Sequence, residues 1–204
     1  MEMGAINRLT IKKQNRIYKI KFLLYNIIHK EEKIYYTYIS KIGEVIIMIK
    51  DEMINANVVA NYFLTKSELT PKKLQKLVYY SYSWFIALNN ENENEINSLL
   101  FDEAPEAWIH GPVFKSLYSK YKIFNWHEIP KNDETMVFEN DDIKPFFDRI
   151  WKVYGKYDAD QLEYMTHHEL PWKNARRGMS ALDHSNKEIS KKDIFIYFNS
   201  LANE

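Results

Sequence analysis

Histidine carries the most direct prospect of chemistry in this chain, because the sequence holds six histidines and no cysteine. Thiolate nucleophiles, thiolate metal sites and disulfides are therefore excluded together. Two histidines are adjacent, in His167-His168-Glu169. A zinc-protease helix needs its second histidine four positions after the first, on the same face. Counted from His168 that position is Trp172. Neighbouring helical side chains point about 100° apart, so His167 and His168 cannot share one ion from a single helix. His184 is close in sequence, with no spacing typical of a ligand. His110 precedes Gly111-Pro112, where an imidazole satisfies backbone groups at a turn. These residues point to structural or part-exposed histidines rather than a metal centre, and no cofactor is expected.

Other chemistries find less support. No Ser or Thr stands on a glycine-flanked nucleophile turn, and neither phosphate-binding glycine pattern occurs. Asp102, Glu103 and Glu106 cluster before Trp108, and Asp158 and Asp160 flank Ala159; such groups ordinarily cap helices or face water. Arg176-Arg177 is too small a cationic group for a nucleic-acid stripe. Fifteen Tyr and five Trp exceed what a core of this length needs, and the surplus suits protein recognition. The chain reads as a binding protein, not an enzyme.

The elements that must position these residues are mainly helical. Asn55 or Asn57 caps a first helix carrying Val58, Val59, Tyr62, Phe63 and Leu64. Thr70-Pro71 opens the clearest one, with Leu74, Leu77, Val78, Ser81, Phe85 and Leu88 as a stripe and Asn89-Asn90 as its end. Lys72, Lys73 and Lys76 lie in its first turns, where the dipole disfavours cations, so burial must form this helix. Pro112 is expected to open a helix through Tyr121, and residues 134–138 to form a short strand. Asp141 or Asp142 caps a helix from Ile143 to Gly155. Asp158 or Asp160 caps the next, which Pro171 stops, and Ser190 starts the last, with Ile194, Phe195, Phe198 and Leu201. The expected architecture is mainly α: one compact multi-helix domain over 54–204 with at most a small β element, plus a basic N-terminal extension.

That extension explains a deceptive neutrality. The 28 Lys/Arg and 28 Asp/Glu cancel over 204 residues. Residues 1–47, however, hold nine Lys/Arg against four Glu, and 48–204 hold nineteen against twenty-four, so the two parts carry +5 and −5. The basic part reads as an arm, as a strand pair packed on the domain, or as sequence not normally translated. The last reading is favoured, since codons for Gly43-Glu44-Val45 can spell a ribosome-binding sequence ahead of Met48. The acidic remainder suits a basic partner and makes nucleic-acid binding unexpected. No apolar stretch is long enough for a membrane span.

Three stretches in order resemble the Panacea domain, the SocA-like antitoxin family also met in prophages as GepA. They are Leu74-Gln75-Lys76-Leu77-Val78-Tyr79-Tyr80 followed by Trp84, then Glu106-Ala107-Trp108-Ile109-His110-Gly111-Pro112-Val113, and finally residues 166–176, which include His167, Glu169, Pro171, Trp172 and Arg176. The resemblance runs from about Ile54 to the C-terminus. It implies a cytoplasmic antitoxin of a type II-like toxin–antitoxin system, neutralising a separately encoded toxin by direct binding. An alternative is an adaptor delivering the toxin to a ClpXP-type protease; a His-based metalloprotein or a DNA-binding autoregulator ranks lower. The resemblance carries no catalytic residue. Gly111 is read as a close-approach position, Pro112 as a helix entry, Trp108 and Trp172 as packed anchors, and His167, Glu169 and Arg176 as a network bracing the Pro171-Trp172 turn, with a partner-facing role as the other option.

Overall fold

The computed structural model describes residues 36–39 and 45–203; most of the basic segment 1–47, Gly43-Glu44 included, lies outside the described residues. Among these residues there are seven α-helices: α1 (Ala56–Leu64), α2 (Pro71–Asn89), α3 (Lys115–Tyr121), α4 (Ile143–Tyr154), α5 (Ala159–His168), α6 (Leu170–Ala175) and α7 (Lys191–Ala202). Five short strands accompany them: β1 (Tyr36–Ile39), β2 (Val45–Ile49), β3 (Glu106–Trp108), β4 (Gly111–Val113) and β5 (Thr135–Phe138). β2 lies between β1, antiparallel, and β5, parallel, while β3 and β4 form a separate hairpin. The mainly α architecture is as expected. No helix among the described residues is long and apolar enough to cross a membrane.

Local signals start most helices where the chain predicts. The Asn55 side chain accepts hydrogen bonds from the backbone N–H groups of Asn57 and Val58 at 3.0 and 3.1 Å. Thr70, Asp158 and Ser190 cap α2, α5 and α7, and Asp158 forms a full capping box with Gln161. Asp142 precedes α4 without a side-chain cap bond.

Pro112 departs from expectation, and Pro171, which ends α5 as expected, also starts a helix. Pro112 opens no helix: it stands in β4 opposite Ala107, and α3 begins three residues later at Lys115. Pro171 not only follows α5 but lies inside the first turn of α6, where its missing N–H costs nothing. Gly155 closes α4 in ordinary right-handed geometry.

α2 is the axis of the domain. A stripe was expected, but every residue from Leu74 to Ser83 is buried, because α7, α1, α5, β4 and α4 surround it. A helix buried on all sides must satisfy its polar side chains internally, and that requirement builds the site.

Candidate functional site

The first polar turn of α2 grips the β3–β4 hairpin. Buried Gln75 mimics a strand neighbour: its Nε2 donates to the Phe114 carbonyl at 3.0 Å, and its Oε1 accepts from the Phe114 N–H at 2.9 Å. Beside it, fully buried Lys76 donates from Nζ to the Pro112 carbonyl at 3.0 Å. These bonds hold residues 112–114 extended, which is why Pro112 lies in a strand. Desolvation pulls the Lys76 amine down from 10.5 to about 7, opposed by the attraction of Glu163. Gly111 has φ of +88°, and a Cβ there would meet Thr166 Oγ1 at 2.7 Å and Lys76 Cε at 2.8 Å. Only glycine lets the hairpin seat this deeply.

Glu163 of α5 ties the same hairpin from outside. Its carboxylate takes Lys72 Nζ at 2.7 Å and faces His110 Nδ1 at 2.9 Å. Burial works against its ionisation, but hydrogen bonds from Lys72 and His110 win and hold its pKa below the usual glutamate value. The lysines at the α2 N-terminus thus have tertiary partners: Lys72 reaches Glu163 and Asp160, and Lys73 donates to the Gly155 carbonyl at 2.8 Å. Carboxylates of the 102–106 cluster are engaged as well, one with backbone and one with an indole. Glu103 accepts from the Ser116 N–H at 2.9 Å, capping α3 from a distance, and Glu106 accepts from Trp108 Nε1 at 2.8 Å.

Trp172 is the second structural centre. Its ring stacks on His167 with centroids 4.1 Å apart, and the Arg176 guanidinium lies 5.1 Å from its centroid. Its indole N–H donates to the Trp108 carbonyl at 3.0 Å. Arg176, buried, donates to the carbonyls of Ala107, Ser180 and Asp183 at 3.0, 3.0 and 2.8 Å, clamping β3 to the loop before α7. Glu169 does not join that network. Its carboxyl turns into the core, where Oε1 accepts from the Tyr80 hydroxyl at 2.8 Å. Burial raises its pKa to about 8, moderated by the hydroxyls of Tyr80 and Tyr79. His168 faces its own helix, with Nδ1 2.7 Å from the Tyr164 carbonyl. The three consecutive residues thus go to three environments, and no group of three potential ligands assembles among the described residues.

The remaining expected positions are core. Leu74 and Leu77 are fully buried, Pro171 is buried, and half-buried Trp84 donates to the Tyr154 hydroxyl at 2.8 Å. The tertiary structure therefore brings Gln75, Lys76, Trp108, Gly111, Pro112, His167, Trp172 and Arg176 around one hairpin, and places Glu169 and Trp84 on the other side of α2's polar stretch. Sequence reasoning missed Glu163, whose pairing with Lys72 and His110 has no local signature.

The hairpin separates two surface clefts. One, of about 270 Å³, lies between the α2 N-terminus, Trp108 and α3; the other, of about 520 Å³, lies between Trp108, His110 and His184. Among families of known proteins, the one described as antitoxin SocA-like, Panacea domain, matches residues 74–173. No curated protein and no solved structure matches the chain.

Proposed function

Residues 74–173 belong to the SocA-like antitoxin family as its Panacea domain, and on that premise we propose that the chain neutralises a separately encoded toxin by binding it directly. The family match carries this reading. In support, the motif residues leave little reactive chemistry free: Gln75, Lys76 and Arg176 are consumed by backbone carbonyls. In this reading they are a frame, presenting the hairpin and its flanking clefts to a partner. Trp108, half-buried, and His110, exposed, are its outward-facing members.

The test is co-expression with the neighbouring reading frame. That product should arrest growth alone, be harmless alongside this chain, and co-purify with it. A toxin that remains lethal and unbound removes the proposal. Protease-dependent shortening of the toxin's half-life would instead favour delivery to a protease over simple capture.

A further inference from the structure

The 270 Å³ cleft differs in charge from the domain that contains it. Residues 48–204 sum to −5, yet the cleft lining holds Lys72, Lys76, Lys122 and His110 and no carboxylate. Lys72 is committed to Glu163 and Asp160, His110 to Glu163, and buried Lys76 to the Pro112 carbonyl, which leaves Lys122 as the cation of the lining that can meet a ligand. Exposed Lys122 makes no ion pair with a described residue and stands at the mouth. The walls are aromatic: Trp108 packs edge-on against Tyr118 at 4.8 Å, with Tyr121 beyond. The rim continues into an unusual surface, where Ile123 is 74% and Trp126 78% exposed. Between them Asn125, itself part of the lining, holds φ of +49°, a left-handed value that costs a non-glycine residue about 1 kcal/mol or more. An exposed tryptophan one residue beyond a lining residue has the composition of an interface anchor, not of a solvated loop.

Size and lining together suit the occupant: at about 270 Å³ the cleft is at the small end of ligand sites, with aromatic walls beside one uncommitted cation. We propose that this cleft is the docking site for a peptide segment of the toxin in which an apolar or aromatic side chain packs against the Trp108–Tyr118 wall, an adjacent carboxylate meets Lys122, and the segment lies across Trp126. This rests on the antitoxin reading and deepens it.

The test measures binding of the purified neighbouring-gene toxin to the full chain. Trp126→Ala and Lys122→Glu alter exposed side chains and should leave folding intact. Each is expected to weaken binding about 10-fold or more, the range of an interface anchor, and to abolish growth rescue at low expression. Lys152→Glu, an exposed α4 lysine outside the cleft, should not. Charge reversal of one acidic toxin residue should break binding to the unaltered chain and restore it to Lys122→Glu. Rescue and affinity unchanged in both cleft variants would overturn the docking site while leaving the antitoxin reading standing. Failure of the unaltered chain to bind or rescue would remove both. Inorganic phosphate or ATP raising the melting temperature of the unaltered chain, but not of Lys122→Glu, would overturn the peptide occupant in favour of a small anion.

Discussion

The two halves of α2's buried polar stretch solve the same problem in opposite ways. Toward the N-terminus, Gln75 and Lys76 meet backbone groups of the hairpin. Toward the C-terminus, Tyr80 meets the Glu169 carboxyl at 2.8 Å, with the Tyr79 hydroxyl buried nearby. The first half is a positioning device. The second is an acid kept in an aromatic pocket, where Tyr80 also stacks on Tyr154 with centroids 3.8 Å apart. Burial drives both ionisable groups toward neutrality, so Lys76 falls to about 7 and Glu169 rises to about 8.

The contrast should be measurable as two stability slopes of opposite sign. The unfolded chain releases the Glu169 proton near 4.5, whereas the native state keeps it to about 8. Over that window the native state binds more protons, so stability falls as pH rises, by a total of order 5 kcal/mol at about 1.4 kcal/mol per unit. Lys76 reverses the sign. The native amine is neutral above about 7 and the unfolded one is charged up to 10.5, so stability rises across that window. Urea titrations across pH should show Glu169→Gln losing the falling limb and Lys76→Met losing the rising one. If either variant keeps its limb, the assignment to that residue is wrong.

Gly111→Ala comes next in size. Its Cβ would collide with Thr166 and Lys76 at a backbone angle that alanine avoids, and a loss of about 3 kcal/mol is expected in chemical denaturation. A loss below about 1 kcal/mol would mean that the hairpin lifts easily from α2. Trp84→Phe should cost about 1 kcal/mol by removing the bond to the Tyr154 hydroxyl. An unchanged midpoint would make that end of α2 insensitive to its polar contacts. Trp126→Ala should change stability by less than about 0.5 kcal/mol, since the side chain is 78% exposed. A larger loss would place Trp126 in the fold rather than on an interaction surface.

Much of the architecture was legible because its signals are local. A cap acts over three or four residues, so Thr70 and Ser190 could be identified from their neighbours alone, and Asn55 and Asp158 each as one of two candidates. Pro112 was misread for the same reason, while Pro171 does end α5 as read. A proline after glycine looks like a helix entry wherever it occurs, and the bond that keeps Pro112 in a strand comes from Lys76, 36 positions away. His167, Trp172 and Arg176 were recognisable as one structural group, but the direction of Glu169 was not. Helix spacing alone cannot say that α5 ends against α2's tyrosines, whose hydroxyls draw the carboxyl inward.

The sequence by itself determined the mainly helical class, most of the helix starts, the lack of thiol chemistry and the family motifs. Each depends on residue type or on contacts a few positions apart. The tertiary structure alone decided that α2 is buried all round from Leu74 to Ser83, that Glu163 joins Lys72 to His110, that burial drives Lys76 and Glu169 toward their neutral forms, and that Lys122 stands beside an aromatic cleft on an acidic domain. Those properties follow from which groups fold against one another and how much water they lose, and sequence separation does not encode either.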